Sequence, residues 1–312
     1  MAYKWFWLSE GLSMRTVVTV GMCVRNCESM IGDAIESIIQ QDFPHELMQA
    51  IFVDDGSQDH TLEIVQSYVS RMDIKSKVFQ TKWQGLGAAR NLIGNNAEGD
   101  YIVWVDADEV LTESYVRDQV AFMEKHPEVG ITAGIVATIP GNLVLNLELI
   151  PGIINHMNYD KPKTFLWKTE KLPGTGGATF RTEALRHVRG FDERLSGVGE
   201  DQDVAQRMRR AGWAISLNNS PFYEKHGGML TFNDLLKKYL WYGYGSHKIY
   251  RKNRDVFSFP RMSPIAAVVT GFLYSLTAYK LLRQKEVFLL PLHYGLKMSA
   301  WMVGFIKSQA RI

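Results

Sequence analysis

Two short, unbroken apolar runs that end in carboxylates constrain this chain more than anything else in it. Ile51-Phe52-Val53 leads into Asp54-Asp55-Gly56-Ser57, and Tyr101-Ile102-Val103-Trp104-Val105 leads into Asp106-Ala107-Asp108. Runs this continuous, rich in β-branched and aromatic residues, suit strands buried on both faces, as in a parallel sheet covered by helices. Open α/β sheets bind ligands outside the carboxyl ends of such strands. Two acidic sites at that edge are therefore placed to hold a divalent cation and, through it, a diphosphate. A third cluster, Glu200-Asp201-Gln202-Asp203, opens a helix-like stretch and is placed to supply a general base.

Around these clusters the pattern alternates strand and helix from Thr16 to about Gly130, as a βαβ array requires. The first strand is expected over Thr16 to Val20. A helix is expected over Ser29 to Gln40, with Ile31, Ala34, Ile35, Ile38 and Ile39 on one face. Strand two ends at Asp54, and its helix starts near Asp59 or Thr61 and carries Leu62, Val65, Tyr68 and Val69. Gly85-Leu86-Gly87 enters a further helix; it lacks the third glycine of a dinucleotide fingerprint and does not follow the first strand, which argues against a dehydrogenase. Between Pro140 and Gly177 the periodicity is poor, so loops and irregular strands are expected there. A strand and helix resume from Gly176 to Trp213.

The 312 residues suffice for one large α/β domain with an appendage, and a formal net charge of +2 advertises no nucleic-acid partner. Two cysteines, Cys23 and Cys27, are too few for a disulfide framework or a zinc site, and suit a reducing, cytoplasmic setting. The N-terminal stretch with Trp5, Phe6 and Trp7 lacks the apolar run and cleavage site of a signal peptide. Pro264 to Leu282 is almost wholly apolar, and Val287 to Ile306 nearly so, each about long enough to cross a bilayer core, with a buried hydrophobic hairpin as the alternative. In the second segment His293, Lys297, Gly304 and Ser308 form one stripe, which fits an interfacial helix or one whose polar stripe faces a partner. Lys237 to Lys252 mixes basic and aromatic residues at helical spacing, suited to phosphates, to a membrane surface or to plain solvent.

Taken in order, Thr19-Val20-Gly21-Met22-Cys23-Val24-Arg25-Asn26, Val53 to Asp59, Gly87-Ala88-Ala89-Arg90-Asn91, Asp106-Ala107-Asp108, Gly190-Phe191-Asp192-Glu193 and Glu200 to Asp203 resemble the motifs of family two inverting glycosyltransferases. The resemblance covers about residues 16 to 230 and implies an α/β GT-A fold, the nucleotide-diphospho-sugar transferase type with a mostly parallel central sheet, here followed by C-terminal hydrophobic helices. It implies a catalytic domain over 1–230, with a nucleotide half near 16–130 and an acceptor half near 131–230. Amphipathic connecting helices over 231–260 and a membrane-associated hairpin over 261–312 complete the expected organisation. The first motif departs from the family's usual Pro-Thr-Tyr-Asn type, with Cys23, Val24 and Arg25 before Asn26.

Several roles follow from the resemblance. Cys23, Arg25, Asn26, Asp54, Asp55, Arg90 and Asp106 line the nucleotide, with Asp55 the preferred reader of the base. Ordinary turn chemistry is the alternative for Asp54-Asp55-Gly56-Ser57. Asp108 is the stronger cation ligand and Asp106 contacts ribose or cation, with a solvated turn as the alternative for both, and His226 is either a late contact to cation or diphosphate or a structural histidine. Alternate residues at a strand end share a face, so Asp106 and Asp108 point together. Arg90 supports the diphosphate or orders Asp106, with a salt-bridged structural arginine as the alternative. Gly176, Gly177 and Glu200 lie at the acceptor and donor sugar, and Asp201 is the general base, although an acidic residue here also suits a helix cap.

The expected activity is that of a Mn²⁺- or Mg²⁺-dependent hexosyltransferase. It would move a sugar with inversion from a UDP- or GDP-sugar to a hydroxyl of a lipid-linked glycan, at the cytoplasmic face of the cell membrane. Transfer to polyprenyl or dolichyl phosphate is the alternative within the class. A catalytically silent, nucleotide-binding membrane scaffold is the alternative outside it.

Overall fold

A computed structural model of the chain describes residues 15–137, 141–157, 165–166, 173–195, 198–225, 231–252, 254 and 262–310. Trp5, Phe6, Trp7 and His226 lie outside the described residues. The strands are β1 (Val18–Val24), β2 (Met48–Asp55), β3 (Lys75–Thr81), β4 (Tyr101–Trp104), β5 (Glu109–Leu111), β6 (Val129–Ala137), β7 (Phe165–Leu166), β8 (Ala178–Arg181) and β9 (Ala214–Glu224). They form a sheet in the order β3-β2-β1-β4-β8-β6-β9-β5, with β7 paired to β9. The first four strands along that path are parallel. Beyond β4 the sheet is mixed: β8 is antiparallel to β4 and β6, while β6 and β9 run parallel.

The apolar runs behave as their composition requires. All residues of β2 are buried, Asp54 and Asp55 included, as are all those of β4. The helices of this part are α1 (Ile31–Ile39), α2 (Thr61–Val69), α3 (Leu86–Asn96), α4 (Tyr115–Lys125), α6 (Thr182–His187) and α7 (Glu200–Arg210). α1 buries Ile31, Ala34, Ile35 and Ile38, the face expected for it. Gly21 admits α3 over β1, since a Cβ there would come 2.7 Å from Ile93 and 3.2 Å from Trp104. Trp104 in turn meets Phe180 and Phe191 edge-on, at centroid distances of 6.0 and 5.5 Å. That aromatic cluster joins β4, β8 and the segment after α6.

Three differences from the sequence expectations have local causes. β1 begins at Val18 and continues to Val24, beyond the expected Val20, because parallel pairing with β2 extends to Val24 opposite Asp54. β3 carries only the short apolar pair Val78-Phe79, and its Lys-Ser-Lys start lies on the half-exposed edge of the sheet. The stretch expected to be loops and irregular strands between Pro140 and Gly177 contains a helix, α5 (Leu143–Met157). Pro151-Gly152 within it masks the helical period. Nevertheless Val144, Leu147 and Ile150 recur at helical spacing and are buried.

The chain divides into two compact units. One holds the sheet with α1 to α4, α6 and α7. The other holds α5 together with α8 (Phe232–Lys252), α9 (Pro264–Leu282) and α10 (Leu290–Gln309). A linear division places α5 in the half spanning 131–230, but Leu147 and Ile150 pack on Ala278, Val287 and Leu290. In the second unit α8 and α10 approach at backbone distance: a Cβ on Gly243 would lie 1.8 Å from the Trp301 carbonyl oxygen, and one on Gly304 would lie 2.0 Å from that of Leu240. The polar stripe of α10 faces protein. His293, Lys297 and Ser308 are all buried. His293 Nε2 and Lys297 Nζ meet Glu148 at 2.7 and 3.0 Å, and Ser308 meets His247 at 3.2 Å. Burial alone would raise the Glu148 carboxyl, but His293, Lys297 and the Tyr239 hydroxyl hold it well below the usual carboxylate range.

Candidate active site

β4 stops at Trp104, so Asp106 and Asp108 lie in a turn and not on a strand, closed by the Glu109 amide donating to the Asp106 carbonyl at 3.0 Å. The strand-parity argument for their common direction therefore does not apply. The turn is fixed from below by Glu109, a residue that the sequence reading missed. Its carboxylate is 2% exposed and accepts from the amides of Asp106 at 2.9 Å and Gly177 at 3.1 Å. Burial, and then the nearby Asp106, push the Glu109 carboxyl well above its usual range. Its only sequence signal is an acid placed directly between Asp106-Ala107-Asp108 and the apolar Val110-Leu111.

The glycine pair completes this junction. A Cβ on Gly176 would sit 2.1 Å from Glu109 Oε1 and 3.2 Å from Asp106 Oδ2, so only glycine allows the backbone to approach the carboxylates here. Gly177 has a φ of +56° and faces Phe222, and its carbonyl accepts from Gly134 N and from the buried Tyr115 hydroxyl. β5, β8 and the segment leading into β8 are thereby pinned around the Asp106 turn.

Arg90, on α3, ties the second acidic cluster to the first. Its buried guanidinium donates to Glu200 Oε1, lies 3.7 Å from Asp106 Oδ1 and packs over the Phe191 ring at 5.8 Å. Glu200 is 3% exposed, and its Oε2 has no hydrogen-bond partner among the described residues. Removing one member of such a buried pair typically costs about 3–5 kcal/mol, because the other charge is left uncompensated. Asp201 follows in the first turn of α7. Burial, then the adjacent Glu200 charge, push its carboxyl up to about 6, against the pull of Arg90. The chain passes close to it, since a Cβ on Gly174 would lie only 3.3 Å from Asp201 Oδ2. Asp201, Glu200, Arg90, Asp106 and the glycine pair thus form one cluster.

The outer nucleotide candidates form a second group. Asp55 accepts from the amides of Gln84 and Gly85, both at 2.8 Å, and from Thr81 Oγ1 at 3.1 Å, and so clamps the loop before α3. Asp54 accepts from the hydroxyl of Ser57 and from its amide at 3.3 Å, closing its own turn. Asn26, at φ +49°, accepts from the Gln58 amide at 2.8 Å and joins the loops after β1 and β2. Arg25 lies over the exposed Trp83 ring at 5.2 Å. Cys23 is half-buried, and burial pushes its thiol up to about 12. Asn91 links α3 to the Gly190-Phe191-Asp192-Glu193 segment by bonding both the amide and the carbonyl of Phe191, at 2.8 and 3.0 Å.

Similar proteins place this geometry in a family. Poly(ribitol-phosphate) β-N-acetylglucosaminyltransferase TarS of Staphylococcus aureus is 34% identical over 101 residues, which cover 32% of this chain and 18% of TarS. The putative glycosyltransferase EpsE of Bacillus subtilis is 36% identical over 110 residues, 35% of this chain and 39% of EpsE. The matched parts thus span less than half the length of these relatives. Among solved structures, the mannosyltransferase PcManGT of Pyrobaculum calidifontis, in complex with GDP-Man and Mn²⁺, superposes with a TM-score of 0.66 at 17% identity, covering 99% of this chain and 94% of that one. S. aureus TarS 1-349 superposes with a TM-score of 0.54 at 18% identity, covering 95% and 92%. Residues 164–306 match the description "Glycosyl transferase family group 2". Residues 19–189, more than half of the chain and the span that runs from β1 through the Asp106 turn and the glycine pair to the end of α6, match glycosyl transferase family 2, and the chain belongs to that family.

Proposed function

We propose that the protein is a cation-dependent, inverting glycosyltransferase that moves a hexosyl group from a nucleotide sugar to a hydroxyl of a lipid-linked glycan at the cytoplasmic face of a membrane. The observation that carries the reading is the Arg90-centred cluster. It gathers Asp201, with its carboxyl raised into the range of a working base, beside Asp106 and the glycine pair. Solved structures of similar fold, in complex with UDP-GlcNAc and with GDP-Man and Mn²⁺, support a nucleotide-sugar donor.

Within this reading Asp201 accepts the proton of the acceptor hydroxyl as its oxygen attacks the anomeric carbon, from the face opposite the departing diphosphate. Arg90 stays charged, because Glu200 and Asp106 outweigh its burial, and it orients both carboxylates. Asp106 and Asp108 would hold the cation. The Asp106 side chain is 44% exposed and Asp108 shares its turn, which fits a Mg²⁺- or Mn²⁺-type site that takes one or two carboxylates and completes its shell with water and substrate phosphate. Such a cation supplies neutralisation of charge on the leaving diphosphate.

The test is transfer, and donor hydrolysis, from UDP- and GDP-sugars with Mn²⁺ or EDTA. Asp108→Asn is expected to weaken cation-dependent binding of the nucleoside diphosphate in calorimetry while the fold persists. Equal binding by parent and variant, with and without EDTA, would remove the cation role.

A further inference from the structure

The apolar helices of the second unit can cross a bilayer or lie in one face of it, and their packing distinguishes the two. Among the described residues α9 alone is long and apolar enough to span. It buries a stripe of small residues, Ala267, Gly271, Ser275 and Ala278, and exposes Ile265, Val269, Phe272, Leu273 and Leu276. An exposed apolar face of this extent requires a cover. The charge around it identifies the cover. From residue 226 to 312 the sequence has 13 Lys and Arg against 3 Asp and Glu, although the whole chain carries only +2. Lys280, Arg283 and Lys285 cluster at the end of α9. Apolar side chains beside a concentrated positive charge match an anionic phospholipid surface.

Spanning conflicts with how the helices are joined. α10 runs alongside α8 in the same direction: Lys297 lies over the Tyr239 ring, Trp301 bonds Ser246, and Ser308 bonds His247. Carrying α10 across a bilayer would carry α8 with it. In α8 the stretch from Tyr239 to His247, between Lys238 and Lys248, holds only 9 residues free of Lys, Arg, Asp and Glu. At about 1.5 Å per residue it is roughly half the length needed for a hydrocarbon core of about 30 Å. α9 is tied to the same place at both ends. A Cβ on Gly295 would lie 2.8 Å from Val268 near its start, while Tyr279 near its end packs against Phe288 at 5.2 Å. Neither end reaches the far side without residues 288–295, which α8 and the Glu148 cluster hold back.

We infer that the second unit enters one leaflet only, with α9 embedded along an anionic lipid surface and no helix crossing. The inference rests on the membrane association proposed above and specifies its form. The full chain with Gln284→Cys, in the turn after α9, is expressed in a bacterium, and sealed inverted membrane vesicles are treated with a membrane-impermeant maleimide. The parent chain, with its buried Cys27 and half-buried Cys23, sets the background. The expected result is equal labelling of the Gln284→Cys variant before and after permeabilisation. Membrane-bound protein that is protected until permeabilisation overturns the one-leaflet arrangement alone. Recovery of the chain in the soluble fraction overturns the membrane reading and the inference with it. In flotation with phosphatidylcholine vesicles, with or without phosphatidylglycerol, the combined Lys280→Gln, Arg283→Gln and Lys285→Gln variant should lose at least about tenfold of its anionic-lipid binding. Unchanged partition overturns the anionic preference.

Discussion

At the scale of single residues, Asp201 has opposite consequences for stability and for activity. Its folded carboxyl titrates at about 6, above the ordinary Asp range. The stability linked to its proton is therefore complete at pH below that ordinary range and is lost as pH rises through about 6. The basic form needed for transfer is gained over the same interval. The acid limb of kcat/KM is expected near pH 6, and Asp201→Asn should abolish that limb, with transfer slowed by about a hundredfold to ten-thousandfold. The same variant should be at least as heat-stable as the parent at pH 7, because it removes a charge that burial disfavours. Near-normal turnover would reduce Asp201 to a helix cap. A second expectation concerns Gly176→Ala, whose methyl group would meet the Glu109 carboxylate at 2.1 Å. It should cost roughly 1–3 kcal/mol by overpacking and weaken nucleotide binding through the displaced Asp106 turn; an unchanged melting temperature and unchanged calorimetry would contradict it. Asp54, Asp55, Asp106, Asp108, Glu200 and Asp201 stood out as candidates in the sequence because apolar runs and motif order announce them. Glu109 was not, since a buried carboxylate acting through backbone amides leaves no pattern beyond one misplaced charge in an apolar stretch.

At the scale of elements, legibility followed burial. β2 and β4, covered on both faces, were plain in their apolar runs, and α1 was plain in its isoleucine spacing. β3 was invisible, because an edge strand needs no continuous apolar signal. α5 was hidden by Pro151-Gly152, although its Leu147 and Ile150 contacts supply what local propensity withholds. The α8 and α10 contact is of the same kind: sequence showed a polar stripe on α10 and left open what it faced, while Gly243 and Gly304 determine how near the partner comes. Gly304→Val should therefore force the helices apart at the Leu240 carbonyl, 2.0 Å from the new Cβ. Since the obstacle is backbone, the loss should reach the upper part of the roughly 1–3 kcal/mol range for overpacking or exceed it. Thermal unfolding in detergent checks this, and a melting temperature equal to that of the parent would show that the helices are not held at this contact.

At the scale of the whole molecule, linear order and packing disagree about where the catalytic part ends. Read along the chain, the motifs finish well before Pro264, which suggests that a cut after Phe259 should leave a domain with its own core. The second unit, however, recruits α5 from the middle of the chain and depends on α9 and α10 to cover it. Such a cut would uncover Leu147 and Ile150 on α5 and the glycine face of α8, while the aromatic cluster of Trp104, Phe180 and Phe191 lies wholly within the first unit. Domains with their own cores keep them when a neighbour is lost, and local unfolding follows the loss of buried contacts. In a detergent-solubilised chain truncated after Phe259, amide hydrogen exchange should remain slow in β1, β2 and β4 and become fast throughout α5 and α8. Retained protection in α5 and α8 would mean that the two helices stand without α9 and α10. Loss of protection in the central strands as well would mean that the two units fold only together.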